Sequence, residues 1–320
     1  MTDSLKLETL RAGNSEALLA SRGYRDLVAL TESAQAADSQ PPFNDQTLVD
    51  ARAGRCVFSL VYSGETLAGA AVVNGDTLEL VVDPALRGRG YGLAVTRHML
   101  DEEKLISRHQ PHVSYLSRLL EPFQSDIPVA IPTLAWSHGD HPAARALAER
   151  FGFHAARRLL QLRMPLSGTY LTTEPSGVTI DSFVPGADDD AWVALNARVF
   201  AGHPEQGRLT VDDLHARMAE TWFDADDFLV ARDSGGAMIG YNWLKIEPAP
   251  EPGEIYVIGV DREHAGMGLG RALMQRGLAR LTARGCTSAA LYVEEDNSPA
   301  VPLYRSLGFT DYTVDVQYAR

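Results

Sequence analysis

The chain has 320 residues, 45% hydrophobic and 22% charged, the profile of a water-soluble globular protein of about two domains. No apolar run reaches the ~18 residues of a membrane span. The start, Met1-Thr2-Asp3-Ser4-Leu5-Lys6, has no basic region followed by an apolar stretch, and Cys56 and Cys286 fall in different halves, so a cytoplasmic protein without a structural disulfide is expected. The formal charge of −13, from 42 acidic against 29 basic residues, argues against nucleic acid or an anionic membrane as partner. Any polyanion must be met by a local site.

Residues 1–30 show helical spacing with polar interruptions, and Thr31 to Phe43, rich in Ser, Ala, Gln and Pro, reads as a connection between two helices. A short helix around Asp45, Gln46, Leu48 and Val49 leads into two apolar runs, Arg55 to Val61 and Leu67 to Val73, separated by Ser63-Gly64-Glu65. These read as a β-hairpin. The Asn74-Gly75-Asp76 turn starts a further strand, Thr77-Leu78-Glu79-Leu80-Val81-Val82. Then come the glycines of Arg87-Gly88-Arg89-Gly90-Tyr91-Gly92 and an apolar helix through Leu100.

The order recurs in the second half. Asp227 to Arg232 and Met238 to Leu244 flank Asp233-Ser234-Gly235-Gly236, and the strand Gly253-Glu254-Ile255-Tyr256-Val257-Ile258-Gly259-Val260 leads to Ala265-Gly266-Met267-Gly268-Leu269-Gly270-Arg271 and a helix. Gly90 and Gly92 match Gly268 and Gly270 at one offset of 178 positions. Both halves close alike, on Phe151-Gly152-Phe153 and on Leu307-Gly308-Phe309. The chain therefore reads as a tandem duplication of two α/β domains, residues 1–166 and 178–320, with a Pro-, Ser- and Gly-containing linker at 167–177. The first half is the longer between its glycines, and the excess falls in a polar excursion at residues 102–130.

A glycine-dense turn between strand and helix leaves backbone N–H groups pointing outward where the helix dipole is positive, which suits a pyrophosphate. No Lys-Ser or Lys-Thr follows as a P-loop needs, and the G-x-G-x-x-G spacing of a dinucleotide fold is missing. The stretch Trp136-Ser137-His138-Gly139-Asp140-His141 clusters His and Asp, yet neither half has a zinc-ligand spacing, so no metal is expected. The duplication reads the stretch instead as a loop between strand and helix.

Strand, hairpin, strand, glycine loop, helix, strand, and a helix ending in Leu-Gly-Phe make up a pattern that resembles the GNAT acetyltransferase superfamily over nearly the whole chain. The second half more closely resembles the mycothiol synthase family of actinobacterial two-domain enzymes, through His203-Pro204-Glu205-Gln206-Gly207, Trp222-Phe223-Asp224, Gly253 to Val257, Leu291 to Asn297 and Tyr304 to Thr310. That resemblance implies two mixed β-sheets flanked by helices. It also implies transfer of acetyl from acetyl-CoA to the cysteinyl amine of desacetylmycothiol, a cysteine-glucosamine-inositol conjugate, by a monomer acting on a small molecule.

The resemblance further implies one CoA per domain. Leu80, Val81, Val82, Gly88, Arg89, Gly90, Tyr91, Gly92 and Leu93 would hold the first. Ile258, Gly259, Val260, Ala265 to Arg271 (Ala265, Gly266, Met267, Gly268, Leu269, Gly270, Arg271) and Asn297, Ser298, Pro299, Ala300, Val301 and Pro302 would hold the second. The Arg or Gln that usually opens the loop is Ala265 here, which removes one side-chain contact to the pyrophosphate. Glu254 is the implied general base, acting through a water with its pKa raised by partial burial, and Tyr304 the general acid toward the departing thiolate. Asp45 (where the family usually has Glu), Glu205, Lys245 (expected on the strand after the hairpin), Glu254 and Tyr292 match substrate-binding positions. The first half has Asp76 where the second has Glu254 and Ala148 where it has Tyr304, so catalysis is expected only in the second. Neither cysteine lies in these motifs, and the amine would attack the thioester directly. Two other readings stay open: an acetyltransferase for another small amine or peptide N-terminus, and a non-catalytic acetyl-CoA sensor.

Overall fold

The computed structural model describes residues 5–11, 20–52, 55–100, 131–168, 170–171, 173–202, 206–247 and 252–320. The polar excursion at 102–130 and Glu205 lie outside them. The chain opens with β1 (Leu5–Arg11), α1 (Arg22–Asp38), α2 (Asp45–Arg52), β2 (Val57–Ser63), β3 (Thr66–Asn74), β4 (Thr77–Val82), α3 (Tyr91–Leu100), β5 (Leu134–Ser137) and α4 (Pro142–Arg150). It continues through β6 (His154–Pro165), β7 (Thr179–Ser182), α5 (Asp189–Val199), α6 (Val211–Met218), β8 (Phe228–Arg232), β9 (Met238–Lys245), β10 (Gly253–Val260), α7 (Leu269–Ala283), β11 (Ser288–Glu294), α8 (Ala300–Ser306) and β12 (Thr310–Ala319).

Two elements differ from the sequence reading. The first residues form a strand paired antiparallel with β2, not a helix. Alternation of Leu5, Leu7 and Thr9 with Lys6 and Glu8 has the period of a half-buried strand, and that period wins once β2 offers a ladder. Helix α1 also runs through the Ser- and Ala-rich stretch that reads as a connection, because Ala, Gln and Glu are good helix formers there. Ser21 caps its start by accepting the Tyr24 N–H at 3.1 Å.

The chain forms two compact units, Met1–Leu159 with Thr313–Arg320, and Leu160–Tyr312. In the first unit the strand order is β1-β2-β3-β4-β5-β12, with β5 parallel to β4 and antiparallel to β12. Leu27 and Leu30 of α1 pack on Phe58 and Leu60, while Val95 and Met99 of α3 pack on Val61, Ala71 and Leu78, so helices cover both faces of the sheet. In the second unit the order is β6-β11-β10-β9-β8-β7. Trp192 of α5 and Leu214 of α6 join Phe228, Tyr241 and Trp243 in an aromatic core on one face; Leu269, Ala272 and Leu273 of α7 pack with Ile180, Ala231 and Ile239 on the other. Stacking of Phe228 on Trp243, with ring centroids 4.4 Å apart, adds directional packing to that burial.

Residues 313–320 end the second repeat in sequence yet complete the sheet of the first unit. Asp315 fastens them there: it accepts the Gly139 N–H at 3.0 Å and meets His138 Nδ1 at 2.9 Å, while Glu79 of β4 lies 3.7 Å from Nε2. The histidine of the Trp136 to His141 stretch is thus held by carboxylates, and Asp140 is bonded by Arg145. Among the described residues no group of His, Cys, Asp or Glu is placed to hold a metal ion, and no helix is long and apolar enough to cross a membrane.

Burial draws the His138 pKa down, but the carboxylates of Asp315 and Glu79 outweigh it and hold the pKa up at about 10. Because the unfolded chain titrates near 6.5, this stabilisation is complete below about pH 6.5 and is lost as pH rises toward about 10. Thermal melts should therefore show stability falling across that window. Asp315→Asn should lower stability at pH 6, by up to ~3–5 kcal/mol for a broken buried pair, and flatten the slope; an unchanged slope in the variant would contradict the assignment.

Candidate active site

The site begins where a parallel strand pair comes apart. Strand β10 pairs with β11 only over Gly253↔Ala289, Glu254↔Ala290 and Ile255↔Leu291, while its ladder to β9 continues to Val260↔Gly240. A β-bulge between Ile255 and Val257 falls at the parting point, and a bulge bends a strand and increases its local twist. Beyond it, the side of Val257 to Val260 that faced β11 has no ladder partner among the described residues, which leaves room for an extended ligand with amides of its own. The first unit repeats the arrangement: β4 pairs with β5 only over Thr77↔Leu134 and Leu78↔Ala135, and its ladder to β3 runs on to Val82.

At the open end of each parted pair sits a glycine loop. Gly266 and Gly268 have φ of +80° and +84°, and Gly88 and Gly90 have +74° and +90°. Glycine enters this region without the steric cost a side chain would bring. A Cβ built on any of the four meets nothing within 4 Å, so the loop backbone faces open space. Gly268 leads directly into α7, whose first turn carries no acidic residue, and its N–H groups suit an anion. Within the loops, the side chains do other work. Arg87 is bonded twice to Asp38, at 2.7 and 2.6 Å, and Arg271 donates to Ser306 at 2.7 Å.

The Arg271 contact ties the cradle to α8, the helix that carries Tyr304. Gly270 is also close to it, since an added Cβ would lie 3.5 Å from Leu303 and 3.8 Å from Val260. Gly92 makes the same approach to Leu147 and Val82 in the first unit. Tyr304 is 6% exposed, with its ring against Phe309 at 6.2 Å, and burial pushes its phenol up to about 12. At the start of α8, Asn297 Oδ1 accepts the Ala300 N–H at 3.2 Å.

Glu254 is half-buried on β10, where every second side chain from Glu254 to Val260 reaches the surface. Its cross-strand neighbour is Lys245, so a carboxylate and an ammonium lie side by side on one face of the β9–β10 pair. Lys245 ends the hairpin's own second strand instead of starting the next one. Its Nζ lies 3.5 Å from Glu247 and 5.8 Å from the Trp222 ring. Tyr292 follows Leu291, the last residue of β11 paired to β10, and so stands at the parting point; its phenol oxygen takes a hydrogen bond from Gln161 at 2.6 Å. Asp45 is the first residue of α2, in the other unit. Cys56 is buried, with its thiol pushed up to about 12 by desolvation first of all, and burial also raises Cys286. Neither thiol is poised to ionise for an acyl-enzyme route.

Sequence reasoning missed Asn196 and Tyr241. Asn196, fully buried, accepts the Tyr241 phenol at 2.8 Å and donates to the Gln206 carbonyl at 2.5 Å. The Tyr241 ring lies against Gly259, where an added Cβ would come within 2.7 Å of it. At Gly207 an added Cβ would overlap the Phe200 carbonyl oxygen. One buried polar chain thus links the parted strand to the residue after Glu205. No local pattern marks it, although an Asn on the apolar face of α5 is a signal of a kind. Asn196→Ala removes the partner of the buried Tyr241 phenol, at ~1–3 kcal/mol. Thermal melts of that variant should show a stability loss of this size, and an unchanged melting temperature would contradict the role given to the buried chain.

The acetyltransferase (GNAT) family profile matches residues 197–309. The chain is 43% identical over 307 residues to the mycothiol acetyltransferase of Clavibacter sepedonicus, covering 92% of this chain and 91% of that one. It is 41% identical over 319 residues to the mycothiol acetyltransferase of Thermomonospora curvata, covering 95% and 98%. In fold it is similar to a GCN5-related N-acetyltransferase from Sphaerobacter thermophilus, with a TM-score of 0.68 at 20% identity over 98% of this chain and 95% of the other. A tandem GNAT protein from the clavulanic acid biosynthesis pathway gives 0.67 at 19% identity over 99% and 98%. With duplicated parted strands and glycine cradles, and with relatives of this identity along almost its whole length, the chain belongs to the mycothiol acetyltransferase family of acetyl-CoA-dependent GNAT N-acetyltransferases.

Proposed function

We propose that this enzyme acetylates the cysteinyl amine of desacetylmycothiol, with catalysis in residues 178–320 and a second, non-catalytic CoA site in residues 1–166. The observation that carries the division is the pairing of a cradle with a phenol. Tyr304 sits on the helix bonded to the second cradle, and Ala148 holds the matching place beside the first.

In this reading the pantetheine lies along Val257 to Val260 as an added strand, and Gly266 to Gly270 receive the pyrophosphate. Glu254, through a water, takes a proton from the substrate ammonium, whose pKa near 7.7–8.0 makes a weak base sufficient. The free amine attacks the thioester carbonyl, the C–S bond breaks, the CoA sulfur leaves as a thiolate, and the second proton, shed by the nitrogen as it becomes an amide, passes through water to that thiolate to give the free thiol. A phenol at about 12 stays protonated at neutral pH. It is a weaker acid than a thiol near 8.5, so Tyr304 stabilises the departing sulfur chiefly by donating a hydrogen bond as charge develops. Lys245 and Tyr292, beside Glu254 and at the parting point, suit the hydroxyls of a sugar and an inositol. Glu205 is assigned to the same acceptor.

The test of substrate identity is acetyl-CoA consumption with desacetylmycothiol set against simple amines and a peptide N-terminus. A strong preference for the first is expected, and equal rates would refute the specific assignment. Tyr304→Phe keeps the packing and should lower kcat by roughly a hundredfold. Glu254→Gln should lower the rate and leave only the amine's own ionisation in the pH profile; wild-type kcat in either variant would remove that residue's role.

A further inference from the structure

The first unit contains a cavity of about 470 Å³, within the ~300–1,000 Å³ of small-molecule sites. It is built entirely from that unit, and its lining includes the β4 residues Leu80 to Val82 and the cradle residues Gly88 and Gly90. What sets it apart from the second cradle is the floor beside Ala148. Ala135, Phe151, Phe153 and Tyr318 all line the cavity and pack with Ala148 in one apolar cluster. In the second unit the place of Ala148 is filled by the buried Tyr304, and the place of Phe153 by Phe309, against which that phenol packs.

The segment between α1 and α2 supplies a further part of the lining. Gln40, Pro41 and Pro42 line the cavity, Phe43 is buried in the core behind them, and the Asn44 N–H is bonded to the buried Glu79 carboxylate at 3.2 Å.

From this we propose that the first unit is a binding site for CoA thioesters of neutral aliphatic acyl groups longer than acetyl. The inference rests on the reading that this unit binds CoA, and deepens it by naming the acyl class. In the second unit, Tyr304 is placed at the departing sulfur, so its counterpart Ala148 stands beside the thioester in the first. There the missing phenol opens the floor of Ala135, Phe153 and Tyr318 to further methylenes, each of which gains by leaving water. A bulkier acyl-CoA would then occupy the first unit while acetyl-CoA is consumed by the second.

The test is calorimetric titration of the full chain with acetyl-CoA and, separately, hexanoyl-CoA, on wild type and on Ala148→Phe. Wild type should show two acetyl-CoA sites, one of which binds hexanoyl-CoA at least roughly tenfold more tightly than acetyl-CoA. Ala148→Phe should abolish that preference while the site still takes acetyl-CoA. Ala148→Leu, a smaller filling, should reduce the preference if the Phe variant does not fold. Two sites with no preference for hexanoyl-CoA would overturn the acyl-length inference and leave the CoA reading standing. A single site with both ligands would overturn the CoA reading of the first unit and the inference with it.

Discussion

Everything in this enzyme hangs on parallel strands that stop pairing. A parallel ladder is slightly weaker per residue than an antiparallel one, and here it is cut to three residue pairs between β10 and β11 and two between β4 and β5. The antiparallel partner on the other side keeps each strand in place, so the sheet survives while one row of peptide groups is released. A released row in a protein interior would be costly. At the mouth of a cleft it becomes a template for a ligand that carries its own amides. The glycine loop, the helix N-terminus and the acid helix all follow from the end of that row.

In the proposed reading, the duplicated units separate binding from chemistry. Both keep the parted strands, positive-φ glycines and the close approach of the following helix, at Gly270 to Leu303 and at Gly92 to Leu147. They differ in what stands beside the cleft. The second unit buries a phenol on that helix and sets Lys245 against Glu254; the first has an alanine in the phenol's place. Fold and cradle are therefore common property, and the proposed division of activity rests on a few side chains around them.

Local chemistry made much of this legible in the sequence. The Asn74-Gly75 turn, the cradle glycines and both Leu/Phe-Gly-Phe endings are positions where backbone geometry demands glycine, and such demands show in a single chain. β1 was hidden because a short, half-exposed strand with an alternating pattern resembles a broken helix until its partner is known. The place of Asp315 beside His138, and of Asn196 between Tyr241 and Gln206, depends on pairings across 177 and 45 positions that no local pattern encodes. Glu254 and Tyr304 were reachable only through family resemblance, since a half-buried carboxylate and a buried tyrosine are common residues in their elements.

The claim that the released peptide row is the CoA track can be tested by amide hydrogen exchange of the full enzyme with and without acetyl-CoA. Slowed exchange is expected in the segments covering Val257 to Val260 and Gly266 to Gly270, with β9, already paired on its other side, changing little. Unaltered exchange in both segments at saturating acetyl-CoA would contradict it.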